Sequence, residues 1–184
     1  INIQWYNYLL MELTNTQKVL NEFADYVIQQ SRTRLTKGKQ NNTSQLYNSL
    51  KHSPVEQTSD GLEVVLEMDY YGQFQDKGVR GVGGVRKTTS KFNRRNNKGK
   101  LWNQKGGKSP FSFKEGNKPS VKHFIDWSKS KGLSPYAVRE AVYHQGIKPT
   151  QFFTKSFNMG YEKLPQELQE AFLIDVENAI AQKK

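Results

Sequence analysis

Ser59-Asp60-Gly61-Leu62-Glu63-Val64-Val65-Leu66-Glu67-Met68 is the stretch of the chain that decides the fold. Its side chains alternate with the period of an extended strand, so that Leu62, Val64, Leu66 and Met68 share one face while Glu63, Val65 and Glu67 share the other. Ser59-Asp60-Gly61 is a turn sequence that closes a hairpin with a strand around Val55. We therefore expect an antiparallel hairpin over about residues 52–69 with one buried face.

Helices are predicted on both sides of this hairpin. From Ile3 to about Thr36 no Pro or Gly interrupts the chain, and apolar residues recur at helical spacings at Leu9, Leu13, Leu20, Phe23, Val27 and Leu35. Residues 44–50 are expected to form a short turn or a short helix. From about Thr150 to Gln182 a long C-terminal helix is expected, with Leu164, Leu168, Phe172, Val176 and Ile180 at four-residue intervals. Pro165 should kink or restart it.

Two shorter helices are expected in the second half of the chain. Pro119 is placed like a first helical residue and Gly132 like a C-terminal stop. Ser134 can cap the next helix, which has Pro135 in its first turn and ends at Gly146. The order of elements predicts an α+β fold, in which a small antiparallel sheet packs against a long N-terminal and a long C-terminal helix.

Positive charge is concentrated in one segment. The 184 residues hold 28 Lys and Arg against 17 Asp and Glu, a net charge of +11. Between Lys77 and Pro119 there are 13 basic residues and a single acid, Glu115. Such a stretch buries too little apolar surface to offset its ordering entropy. We expect residues 77–118 to be a basic, glycine-rich arm inserted in a single domain formed by residues 1–76 and 119–184.

The expected role of the arm is contact with nucleic acid or with a neighbouring protein. Its glycines, Gly78, Gly81, Gly83 and Gly84, are expected to provide flexibility. The basic residues assigned to this contact are Arg80, Arg86, Lys87, Lys91, Arg94, Arg95, Lys98, Lys100, Lys105 and Lys108. The aromatic residues among them, Phe92, Trp102, Phe111 and Phe113, are of the kind that stacks on bases.

Catalytic, metal and cofactor sites are not predicted. Cysteine is absent, which excludes disulfides, thiolate nucleophiles and Cys-based metal sites. The three histidines are scattered, and Glu140 with His144 is interpreted as a solvated helix pair. Gly107-Lys108-Ser109 resembles the end of a phosphate-binding loop, but Trp102 occupies the position that requires glycine. No apolar run reaches the length of a membrane helix, and no signal peptide or membrane partner is expected.

The stretch Asp69-Tyr70-Tyr71-Gly72-Gln73-Phe74-Gln75-Asp76-Lys77-Gly78, directly after the hairpin, resembles a segment of the tail-completion, or neck, proteins of tailed bacteriophages. That family often shows a Tyr-Ala-x-Tyr-Val-Glu-x-Gly-Thr run after a strand. The corresponding residues here are Tyr71, Gly72, Phe74, Asp76, Gly78 and Val79. Gly thus replaces Ala, Phe replaces Tyr, Asp replaces Glu and Val replaces Thr.

Two further segments carry the same resemblance. Ser44, Leu46, Ser49 and Leu50 match the family's small-x-Leu-x-x-Ser-hydrophobic step before the hairpin. The run from Gly146 to Phe153 resembles the family's Pro-x-Phe-Leu start of a long C-terminal helix, with Phe153 in place of Leu. The resemblance covers most of residues 1–78 and 146–182.

The resemblance implies a non-enzymatic virion protein, assembled in the host cytoplasm, that forms a ring, often of six copies, in the neck. Its partners would be the head connector or adaptor, the tail tube or terminator proteins, and the packaged DNA. The residues expected at the assembly interface are Tyr71, Phe74, Asp76, Gly78 and Phe152.

Three other readings stay open on the sequence. One is a nucleic-acid-binding protein that uses the arm as its main binding element. Another is an ordinary small α+β protein in which Tyr71 and Phe74 are core residues. A nuclease or other phosphoryl-transfer enzyme would require a metal-binding carboxylate cluster, which the basic segment lacks.

Overall fold

The computed structural model describes residues 12–38, 44–84, 102 and 104–182. They divide into two compact units. The first, which we call the helical unit, comprises the described residues up to Asp69 and those from Phe152 onward; the second, the basic unit, is Tyr70–Gln151. The predicted α+β class is confirmed. The division differs from the predicted one, since the boundaries fall at residues 69 and 152 instead of 76 and 119.

The helical unit is built around α1, Thr14–Lys37. Its buried apolar residues are Phe23, Ala24, Val27, Ile28 and Leu35, of which Phe23, Val27 and Leu35 belong to the predicted stripe. Leu13 precedes the first helical residue, so the helix begins later than predicted within the described residues. The short helix α2, Gln45–Ser49, follows and buries Leu46. Residues 1–11 and 39–43 lie outside the described residues.

The predicted hairpin is present and contains four short strands. They are β1 Lys51–His52, β2 Glu56–Thr58, β3 Gly61–Glu63 and β4 Leu66–Glu67. β1 pairs antiparallel with β4, and β2 with β3 across the turn at residues 59 and 60. Between the two pairs, residues 53–55 face residues 64–65, so the first strand carries one extra residue. Pro54 lies in this bulge, where a missing backbone N–H costs no ladder bond.

One face of the hairpin packs on the helices, as its alternating pattern predicts. Leu66 and Met68 contact a core cluster that contains Ile28, Leu50 and Phe152. Glu63, Val65 and Glu67 are exposed on the other face.

Two helices form the C-terminal part of the helical unit: α6, Phe152–Tyr161, and α7, Leu164–Ala181. Pro165 lies in the first turn of α7, so the predicted restart is confirmed. The predicted apolar stripe is only partly buried, because Phe172 and Ile180 are exposed. Steps of four residues advance about 400° around a helix, so such a stripe rotates away from the core. The buried positions of α7 are Leu164, Ala171 and Asp175.

The basic unit contains α3 Gly72–Lys77, β5 Val79–Arg80, a 3₁₀ turn at Val121–Phe124, α4 Ile125–Ser130, α5 Pro135–Gln145 and β6 Gly146–Ile147. β5 pairs antiparallel with β6. The helices after residue 120 begin and end close to the predicted caps, since Gly132 and Gly146 adopt positive φ angles of 62° and 83°.

The described parts of the predicted arm, residues 77–84 and 104–118, are folded into the basic unit instead of extending from it. The amide of Arg80 donates to the carbonyl of Phe111 at 2.9 Å, and the amide of Phe113 donates to the carbonyl of Arg80 at 3.0 Å. The prediction failed here because backbone hydrogen bonds, which composition does not reveal, hold this segment.

Flexibility is also the wrong explanation for the glycines of this segment. A Cβ at Gly81 would lie 2.2 Å from the carbonyl oxygen of His144, and a Cβ at Gly78 would lie 2.6 Å from that of Ile147. These glycines allow two backbones to approach more closely than any side chain permits. They therefore make the segment compact.

Candidate functional site

A basic cleft with a volume of about 340 Å³ lies on the basic unit. Its lining residues are Arg80, Gly81, Gln104, Lys105, Gly107 and Ser112. Arg80 and Lys105 belong to the contact residues predicted from the sequence, and both side chains are exposed. The lining contains no acidic and no aromatic residue. The cleft therefore presents two cations, polar side chains and glycine backbone.

Arg80 is directed outward by the strand that carries it. In β5, Val79 is buried and Arg80 is exposed, as the alternation of a strand requires. The backbone of Arg80 is held by Phe111 and Phe113, and Arg80 forms a parallel bridge with Ser112 on the same segment. The cation therefore stands on a fixed backbone.

Lys105 is held in place by its neighbours on both sides. Its amide donates to the carbonyl of Gln145, the last residue of α5. The side chain of Gln104 donates to the carbonyl of Gly81 at 3.1 Å. At Gly106, a Cβ would meet the carbonyl oxygen of Val79 at 2.3 Å, so this segment lies directly against β5. Both walls of the cleft are thus tied to the β5–β6 pair.

The described residues at the two ends of residues 85–101 are hydrogen-bonded to each other. The amide of Trp102 donates to the carbonyl of Gly84 at 3.0 Å, and the amide of Gly83 donates to that of His144 at 2.9 Å. Residues 85–101, which lie between these ends in the sequence, contain seven basic residues and no acid. These seven are Arg86, Lys87, Lys91, Arg94, Arg95, Lys98 and Lys100, and they lie outside the described residues. Their predicted contact role stays a prediction.

Aromatic and charged side chains surround His144 on α5. The ring of Trp102 stacks on that of His144, with centroids 5.4 Å apart and an interplanar angle of 1°. Nδ1 of His144 lies 2.7 Å from the carbonyl oxygen of Gly83, and Nε2 lies 3.6 Å from Oε2 of Glu140. The predicted Glu140–His144 pair therefore exists, but it is half-buried instead of fully solvated.

Glu140 is neutralised by neighbouring cations. Lys118 donates to both carboxylate oxygens at 2.9 Å, and Arg139 donates to Oε1 at 2.9 Å. The hydrogen bond from Lys118 is the largest influence on the pKa of Glu140, followed by burial, which acts in the opposite direction, and by Arg139; the pKa is lowered. This carboxylate consequently contributes little negative field to the basic unit.

Charge is divided unequally between the two units. In sequence, the basic unit holds 18 Lys and Arg against 4 Asp and Glu, whereas the rest of the chain holds 10 against 13. Of the four acids, Asp76 is 2% exposed and Glu140 is paired. Among the described residues, no carboxylate lies within ion-pair distance of Arg80, Lys105 or Lys108.

The residues predicted for the assembly interface have unequal exposure. Tyr71 is exposed and Phe74 is half-buried against Tyr70 and Phe111, with ring centroids at 5.3 and 4.7 Å. In contrast, Asp76, Gly78 and Phe152 are buried. Phe152 is a core residue of the helical unit at 1% exposure. These three are too buried to contact another subunit directly.

Within residues 12–38, 44–84, 102 and 104–182, no three His, Asp or Glu side chains are grouped closely enough to hold a metal ion. None of the helices described above has both the length and the apolar character needed to cross a membrane.

Comparisons with protein-family models, with curated protein sequences and with solved structures return no match to this chain. Its function is therefore inferred from the residues and their geometry.

Proposed function

We propose that this chain is a structural virion protein of a tailed bacteriophage, a neck or tail-completion subunit that joins the head connector to the tail. It acts as one copy in a ring and has no catalytic role. Its partners are further copies of itself, the head connector or adaptor, and the tail tube or terminator proteins. It reaches the virion after assembly in the host cytoplasm.

The observation that carries this proposal is the juxtaposition of two segments that resemble the family. The amide of Gln151 donates to the carbonyl of Asp76 at 2.9 Å, and the amide of Thr150 donates to that of Gln75 at 3.1 Å. Val79 pairs with Ile147 just beyond them. The segment after the hairpin and the segment before the C-terminal helix are thus hydrogen-bonded neighbours within the basic unit, although about 70 residues separate them.

Exposed apolar side chains supply surface for assembly. On the helical unit, Leu173, Ile174 and Ile180 of α7 are each about half exposed or more. On the basic unit, Tyr70 is 77% exposed and Tyr71 is exposed beside it. A ring requires two different surfaces on each subunit, because its contacts are heterologous. Apolar side chains grouped on a surface are typical of such contacts.

Solution mass and electron microscopy of the purified chain test this proposal. We expect closed rings at micromolar concentration. Leu173→Glu should dissociate them and leave the circular dichroism spectrum unchanged. Gln169→Glu adds the same charge at an exposed position of α7 and is the matched control, which should still form rings. A chain that stays monomeric at all concentrations and does not co-purify with phage necks would refute the assembly role.

Nucleic-acid binding is the second candidate function. The observation that favours it is the concentration of basic residues in one unit that also carries an open basic cleft. A DNA-contacting unit is compatible with a ring subunit at the site of DNA passage, and it is equally compatible with a protein that acts alone.

A further inference from the structure

We infer that the cleft lined by Arg80 and Lys105 binds the phosphodiester backbone of duplex DNA without regard to base sequence. The inference extends the proposed function by naming the partner of the basic unit. It does not depend on ring formation, because DNA affinity and oligomeric state are measured separately.

The lining of the cleft matches the chemistry of phosphate. Arg80 and Lys105 supply charge, while Gln104 and Ser112 supply hydrogen-bond donors. Gly107 leaves the backbone open to close approach, since nothing lies within 4 Å of a Cβ built there. Phosphate oxygens are bound in proteins by this combination of cations, polar side chains and accessible backbone.

The cations of the cleft are not paired with carboxylates of the described chain, so they are available to bind an external anion. Among the described residues, neither Arg80 nor Lys105 has a carboxylate within ion-pair distance. Glu140, the half-buried acid of this unit, is already neutralised by Lys118 and Arg139. The charge at the cleft is therefore free to attract a polyanion.

The lining also indicates which nucleic acid is bound. Single strands are held mainly by aromatic side chains that stack on unpaired bases, and the cleft lining has none. In a duplex the bases are stacked inside and the phosphates face outward, so a site of cations and polar groups is sufficient. Duplex DNA is therefore the partner that the cleft fits.

Fluorescence anisotropy with a labelled 30-base-pair duplex of mixed sequence tests the inference on the full chain. The double variant Arg80→Gln/Lys105→Gln removes both cleft cations. We expect it to weaken binding roughly tenfold near 0.1 M salt and to flatten the slope of log K against log salt by about 2, close to one counterion per lost phosphate contact. The control Lys129→Gln/Lys131→Gln removes the same charge from exposed residues at α4, and we expect less than a threefold change.

A second pair of variants separates the position of a charge from its amount. Gly107→Asp puts a carboxylate into the cleft without a steric clash, and Lys129→Gln lowers the net charge by the same amount outside it. We expect Gly107→Asp to weaken binding at least fivefold more than Lys129→Gln.

Three results would overturn the inference. Equal losses in the cleft and control variants would show a diffuse field instead of a site. A preference of more than tenfold for a single-stranded oligonucleotide would contradict backbone recognition of a duplex. Binding to polyglutamate but not to DNA would identify an acidic protein as the partner. None of these results depends on whether the chain forms rings.

Discussion

Oδ2 of Asp175 accepts hydrogen bonds from both the backbone amide and the hydroxyl of Thr16, at 2.9 and 2.7 Å. Asn15 donates its amide and its side chain to the other oxygen, Oδ1, at 3.0 and 2.8 Å. A carboxylate on α7 thus satisfies free amides at the start of α1, where the helix dipole also favours negative charge. Asp175 joins the first and last helices of the helical unit.

The helical unit should lose stability in acid because of this carboxylate. Burial acts most strongly on the pKa of Asp175 and raises it, but the four hydrogen bonds together outweigh burial, and the pKa is lowered. Its contribution to stability is therefore present above the ordinary aspartate pKa and is lost as the pH falls through the lower pKa of the folded state. Urea unfolding between pH 7 and pH 2.5 should show this loss. Asp175→Asn should flatten the profile and cost about 2 kcal/mol at pH 7.

Replacing Phe152 by alanine should destabilise the helical unit by about 3–5 kcal/mol, because the side chain is 1% exposed in the core cluster with Leu35 and Leu50. Thermal unfolding measures the effect. Phe172→Ala removes the same atoms from an exposed position of α7, so its melting temperature should change little. Similar shifts in both variants would contradict the burial of Phe152.

Asp76→Lys should prevent folding of the basic unit. The sequence alone suggested a folded monomer with an assembly defect, but Asp76 is 2% exposed, and a buried lysine without compensation costs several kcal/mol. Limited proteolysis should show rapid cleavage within residues 70–151. The exposed neighbour provides a control, because Lys77→Glu reverses a surface charge and should leave the unit resistant.

Gly146→Ala should disrupt the β5–β6 pair. The new Cβ would lie 2.1 Å from the carbonyl oxygen of Val79, and the positive φ of 83° adds strain, so we expect a loss of at least about 2 kcal/mol. Hydrogen exchange of the amides near Val79 and Ile147 is the measurement. Gly107→Ala, which meets no neighbouring atom, should leave exchange unchanged.

Periodic patterns predicted the hairpin and the buried face of α1. Side chains alternate from Leu62 to Met68 and recur at helical spacing from Phe23 to Leu35. These patterns show which side chains are buried, so they predict the type and the position of each secondary-structure element. The turn at Ser59-Asp60-Gly61 and the restart at Pro165 follow from the local chemistry of glycine and proline.

Features that depend on distant backbone were not predictable. Asp175 is an acid on a helix, and only the free amides at Asn15 and Thr16 explain why it is buried. Gly81 was predicted to provide flexibility and Gly146 to end a helix, yet both lie against carbonyl oxygens elsewhere in the chain that their local sequence does not reveal. Arg80 and Lys105 were identified as cations, but their placement in one cleft required the fold of residues 104–113 against β5.

Within each unit, the two segments that border the other unit in the sequence lie close together. In the helical unit, the amide of Asp69 donates to the hydroxyl of Ser49. Phe152 belongs to the same core cluster as Leu50, the residue that follows Ser49. In the basic unit, Thr150 and Gln151 are hydrogen-bonded to Gln75 and Asp76. A segment whose two ends lie together can be exchanged as a cassette, because a short linker can span the gap. Exchange of residues 70–151 could thus replace the whole basic unit, while the helical unit keeps its own core.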